Sequence, residues 1–142
     1  AAPTRQIAHP DARDRGINHL VAVTIDDVRA VASRLPRSYE ALVRGRVKFR
    51  VGRIVYIAFS GDETLMGFAF PKEEREAALE SYPDKFLRPT PADMRYQWLE
   101  VRLDAIDHAE MTELVLDAWR MVVPKKLATV SDEELVRGYV EP

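Results

Sequence analysis

The chain contains no cysteine. That excludes disulfides, thiol nucleophiles and cysteine-bound zinc, and it leaves the redox compartment open. Histidine is scarce as well: His9, His19 and His108 are the only three. The six glycines form no Gly-x-Gly-x-x-Gly or P-loop pattern, so no glycine-rich phosphate cradle is encoded. No apolar run approaches the ~20 residues of a membrane-spanning helix. The start, AAPTRQIAHPDARDRG, lacks the apolar core of a secretory signal, so a cytoplasmic site and no membrane partner are expected. Charge of one sign is not in excess either. There are 21 Lys and Arg against 23 Asp and Glu, a net charge of −2. A strongly basic nucleic-acid-binding domain is thereby excluded, whereas a local basic face is not.

What is present is one domain's worth of chain. The 142 residues are 46% hydrophobic and 31% charged, enough to bury a core without metal or disulfide. Residues 1–18 are polar and rich in Arg, Asp and Pro, and read as a flexible arm. Residues 19–142 read as a single domain. Thr24 and Asp27 predict a capping box, followed by Val28, Val31, Ala32 and Leu35 at helical spacing up to Pro36. PRSYEAL then reads as a linker.

Residues 46–51 alternate strictly. Arg46, Lys48 and Arg50 fall on one side, Val47, Phe49 and Val51 on the other, which predicts a half-buried strand. Gly52–Arg53 form a tight turn, 54–59 a second strand, SGDE a turn with positive φ at Gly61, and 64–70 a third strand. Short turns make these strands antiparallel neighbours. Pro71 opens a helix through Ser81, with Ala77, Ala78 and Leu79 facing inward. Residues 82–93 read as an irregular connection and 96–106 as a fourth strand. Asp107 and Glu110 predict a second capping box, and Met111, Leu114, Val115, Ala118, Trp119 and Val122 form the clearest amphipathic stripe in the chain. Pro124 ends it, and Ser131 with Glu134 caps a last helix that turns Leu135, Val136 and Tyr139 inward. The order predicts α+β: a single antiparallel sheet, a meander plus one further strand, packed by helices.

Candidate chemistry is sparse. His9, Asp11, Asp14 and His19 are metal-ligand types, but they fall in the arm, where geometry is not fixed, so no metal or other cofactor is expected. Glu73, Glu74 and Glu76 alternate with Lys72 and Arg75 at a helix start and read as dipole and solubility residues. No serine has a glycine-elbow context. The aromatics Tyr56, Phe59, Phe68, Phe70, Trp98 and Trp119 read as core. These residues support no reaction, and a protein without catalysis is the expectation. What stands out is a basic stripe: Arg44, Arg46, Lys48 and Arg50 project from one strand face, Arg53 follows in the turn, and no acid occurs between 44 and 53. Same-face spacing of ~6.6 Å suits successive phosphates. No aromatic interleaves along that strand face, which argues for a duplex backbone over stacked single-stranded bases.

The runs VKFRVGRIVYIAF, FAFPKEEREAAL, WLEVRLDAID and ELVLDAWRMVVPKKLA, in this order, resemble the MmcQ/YjbR-like family (the YjbR superfamily), of actinobacterial type in the last run. The resemblance implies a small antiparallel sheet with helices packed on it, grouped with CyaY-like and secretion-chaperone-like folds. It also implies a possible DNA-binding role, through likeness to a phage transcription factor's double-wing domain, and carries over no catalytic residue or cofactor. Many members have a lysine in the third strand where this chain has Ala69. The expected partner is duplex DNA, bound without sequence specificity through Arg44, Arg46, Lys48, Arg50 and Arg53. The alternatives are a protein-interaction or adaptor module, with a protein partner or a homodimer, and a small-ligand-binding protein.

Overall fold

The computed structural model describes residues 22–142. The expected arm and its candidate ligands His9, Asp11, Asp14 and His19 lie outside the described residues. Helix α1, Ile25–Ala32, begins as its sequence predicts. Thr24 Oγ1 accepts from Asp27 N, and the Asp27 carboxylate accepts from Thr24 N at 3.0 Å, so both halves of the capping box are made.

The sheet has six strands: β1 Ser38–Val43, β2 Arg46–Val51, β3 Ile54–Phe59, β4 Leu65–Ala69, β5 Phe86–Leu87 and β6 Trp98–Arg102. Their order is β1-β2-β3-β4-β6-β5, and every neighbouring pair is antiparallel. The α+β class and the meander are therefore as read from the sequence. The supposed linker 36–42 is the exception: most of it belongs to edge strand β1. The strand is disguised by Glu40, which is there to pair with Arg29 of α1 at 2.7 Å. The β1–β2 turn consists of Arg44 (φ 53°) and Gly45 (φ 78°), the pair of positive φ values that a type I′ hairpin requires. Arg44 is thus a turn residue, not a strand residue. In the 60–63 turn the positive φ belongs to Glu63 (φ 63°), not to Gly61. There Asp62 replaces glycine chemistry, its carboxylate accepting from the hydroxyls of Ser60 and Thr64, both at 2.8 Å.

The β2–β3 register shifts by one between Phe49/Ile57 and Arg50/Val55. Tyr56 is the extra residue, a bulge that turns both Tyr56 and Ile57 toward the core. The Tyr56 hydroxyl then meets Ser38 Oγ at 2.6 Å, which ties β3 to the start of β1.

Helix α2 spans Lys72–Ser81, α3 His108–Arg120, α4 Lys125–Ala128 and α5 Asp132–Val136. Helix α3 is the spine of the core: Met111, Val115, Leu116, Ala118 and Trp119 are buried against the sheet and α1. Trp119 is wholly enclosed and satisfies its indole N–H on Pro36 O at 2.9 Å. Two inward-facing assignments fail. Ala77 is exposed on α2, because Arg75 takes the buried position. Val136 is exposed on α5, whose single buried anchor is Leu135. The second capping box is half made: Asp107 accepts from Glu110 N at 2.8 Å, but the Glu110 carboxylate turns to Lys85 Nζ at 2.6 Å. Lys85 is held beneath α3, over the Tyr82 ring at 4.6 Å, in a buried ion pair the sequence pattern does not announce. No described helix is long and apolar enough to cross a membrane.

Candidate functional site on the uncovered sheet face

The pleat sorts the strand residues onto two faces. Phe49, Ile57, Met66, Phe68, Leu99 and Val101 face the helices and are buried. On the opposite face the short 3₁₀ turn Pro91–Asp93 reaches the rim through Asp93, and Met121 and Val122, just past α3, also border it. There β2 contributes Arg46, Lys48 and Arg50, paired across β1 with Val43, Ala41 and Tyr39. Strand β3 contributes Val55 and Ala58, β4 contributes Leu65, Gly67 and Ala69, and β6 contributes Trp98 and Glu100.

This face is concave, with a cavity of about 890 Å³. Its floor is built from small side chains, Ala58, Gly67 and Ala69. One wall is cationic, formed by Arg46, Lys48 and Arg53. The opposite wall carries Asp93, Tyr96, Gln97, Trp98 and Glu100. None of Arg44, Arg46, Lys48, Arg50 and Arg53 makes an ion pair or a side-chain hydrogen bond among the described residues, although Arg29, Arg37, Arg88 and Arg120 elsewhere all have acidic partners. Arg50 even buries its Nε without an acceptor. Cations left unneutralised on a partly desolvated face favour an anion.

The far wall is held from below by α2. Arg75 is buried and donates Nη1 to Tyr96 O (3.1 Å) and Trp98 O (3.0 Å), and Nη2 to Met94 O (2.8 Å). Its planar fork suits three carbonyls at once. Gln97 Oε1 accepts from Lys72 N at 2.7 Å, which caps the same helix from the wall's side. Arg75, which the sequence reading names only as a charge among the glutamates of this helix start, is thus a structural clamp. Burial pushes the Glu100 carboxyl above the usual carboxylate range, and the charge of Asp93 adds to the shift. Trp98 is not core. The edge of its indole carrying Nε1 rests on Gly67, where a Cβ would come within 2.6 Å of Nε1 and 2.7 Å of Cζ2. Only glycine at 67 allows the ring this close to the floor. The indole N–H has no acceptor among the described residues. Tyr96 stands beside it, with the Arg95 guanidinium 4.8 Å over its ring.

The structure therefore brings Arg46, Lys48 and Arg53 to one wall and places Arg50 on the same face outside the cavity, with Arg44 at the hairpin tip. Sequence reasoning missed Trp98, Tyr96, Gly67, Glu100 and Arg75 as site residues. One signal was present: Trp98 shares its strand parity with Glu100 and Arg102, which marks an outward face. His108 is exposed at the start of α3, away from this face. Among the described residues no three His, Asp or Glu side chains come together as a metal site.

These features define an α+β protein with helices on one sheet face and an open, cation-walled concavity on the other. The chain belongs to the YjbR family, whose sequence model matches residues 33–121. It is also similar in fold to the crystal structure of Deinococcus radiodurans protein DR2400, described as having the family-model domain DUF419. The two share 21% identity and a TM-score of 0.62, over 79% of this chain and 87% of that one. No curated protein matches the chain. Ala69, where the resemblance places a lysine in many members, lies on the uncovered face beside its cross-strand partner Trp98. The cationic wall here consequently rests on β2 and the turn that follows it.

Proposed function

We propose that the protein binds nucleic acid through the uncovered sheet face, its cations contacting phosphates. The observation that carries this reading is the set of five cations on β2 and its two turns, none with an acidic partner among the described residues. Arg46, Lys48 and Arg50 repeat at the two-residue spacing of one strand face, and Arg44 and Arg53 extend the row at either end. Contacts of this kind position a backbone without reading its sequence, so binding is broad across sequences and falls with salt. A cytoplasmic location accords with it.

The test is fluorescence anisotropy with labelled oligonucleotides at low salt. Wild-type protein should bind, and the Arg46→Ala/Lys48→Ala/Arg50→Ala variant should lose binding to every sequence alike. Absence of wild-type binding at low salt, or undiminished binding by the variant, would refute the proposal. The volume of the concavity, about 890 Å³, favours a second reading, a small anionic ligand, because it falls in the range of such pockets. A thermal-shift titration with a mononucleotide separates the two: stabilisation by the mononucleotide without oligonucleotide binding supports the small ligand.

A further inference from the structure

We infer that the nucleic acid this face takes is single-stranded, with one unpaired base held in the concavity against Trp98. The inference rests on the nucleic-acid reading above and names its substrate class. Three features of the concavity carry it.

The first is its polarity. Cations stand on the β2 side, and Asp93 and Glu100 on the β6 side, about three strand spacings or ~14 Å away. A duplex presents phosphates along both borders of its grooves, so its second backbone would meet the carboxylates. A single strand keeps its phosphates on the cationic side and turns its bases toward the other wall. There a carboxylate is an acceptor for base N–H donors.

The second is the floor. Ala58, Gly67 and Ala69 keep it low, so that a flat ring can approach the sheet. The third is the aromatic wall. Trp98 meets the floor edge-first and Tyr96 is half exposed beside it, backed by the Arg95 cation. Ring faces beside a cationic track form the arrangement on which single-stranded bases stack whatever their identity. The lack of aromatics along β2 is thus made good from β6, three strands over in the sheet. Arg75 is a positioning residue in this account, because it fixes the carbonyls of the segment that carries both rings.

The experiment compares one labelled oligonucleotide as a single strand and as a blunt duplex, at equal salt, with wild type, Trp98→Ala, Trp98→Phe and the Arg46→Ala/Lys48→Ala/Arg50→Ala variant. Circular dichroism of each variant confirms the fold. Wild type should prefer the single strand by at least about tenfold, as expected from one stacked base. Trp98→Ala should weaken single-strand binding about 5- to 150-fold and leave duplex binding unchanged, and Trp98→Phe should recover most of the loss. Quenching of Trp98 fluorescence should accompany single-strand binding, with the enclosed Trp119 as the unquenched control. Equal binding of strand and duplex, or single-strand binding indifferent to Trp98→Ala, overturns this inference while the phosphate reading stands. No binding of either form by wild type overturns both.

Discussion

The buried pair Lys85–Glu110 gives the sharpest stability prediction. Its Nζ–Oε2 distance is 2.6 Å, and both side chains are almost fully enclosed. Removing one partner of such a pair strands a charge in low dielectric and costs ~3–5 kcal/mol, whereas replacing both by apolar side chains of similar volume is near neutral. Lys85→Met and Glu110→Leu should each be strongly destabilising, and the double variant should recover most of the loss. The two singles should also differ. Glu110 occupies the first turn of α3, where the helix dipole stabilises a negative charge, so the carboxylate left by Lys85→Met keeps some compensation. The ammonium left by Glu110→Leu faces the positive helix end, moderated by the Tyr82 and Phe86 rings. Glu110→Leu should therefore be the worse single change. Urea denaturation of the four proteins closes the cycle, and thermal scans should place each single variant on the order of 10 °C below wild type. Additive single effects in the double variant would refute the idea that the two charges act as a pair.

Arg75→Met should destabilise by ~3 kcal/mol or more through loss of its charge-assisted bonds to three carbonyls, and it should shift the Trp98 emission; an unchanged spectrum would mean that Arg75 does not hold the wall. Burial raises the Tyr56 hydroxyl above the ordinary tyrosine value, despite the opposing bond to Ser38. The folded state thus keeps its proton when the unfolded chain loses it near pH ~10, so the Tyr56 contribution is complete below that pH and is lost as pH rises further. Ultraviolet titration should show Tyr56 ionising above the ordinary tyrosine range. Glu100 has a raised folded value, so its charged form is the costly one and the cost disappears as pH falls through that value. Acidification through that raised value should therefore strengthen anion binding in wild type, and the Glu100→Gln variant should bind more tightly than wild type at neutral pH, with a flatter pH profile.

Much of the fold was legible because its determinants are local. The Thr24–Asp27 box, the alternation of 46–51, the Gly52 turn and the stripe on α3 each depend on residues a few positions apart. Strand β1 was hidden because Pro36, Arg37 and Glu40 give it the composition of a linker, and its reason for pairing lies in β2 and in Arg29. The two residues of β5 sit between Pro83 and Pro89 and are too short to alternate; only β6 makes them a strand. The candidate site was half legible. The cationic row reads directly from sequence parity. The opposite wall does not, because nothing in KEEREAALES distinguishes Arg75 from its charged neighbours until the carbonyls of 94–98 are placed over it. Trp98 was assigned to the core on hydrophobicity, although its parity with Glu100 and Arg102 marks the outer face. Gly67 becomes meaningful only when the indole is seen resting on it.

The central claim is that the unpaired cations of β2 bind phosphates, and the salt dependence of binding tests it most directly. Each phosphate contact to a single strand contributes about −0.7 to the slope of log K against log salt. The Arg46→Ala/Lys48→Ala/Arg50→Ala variant should therefore show a slope about 2 units shallower than wild type, with weaker binding at low salt. A variant slope equal to that of wild type would place the phosphates elsewhere and contradict the account.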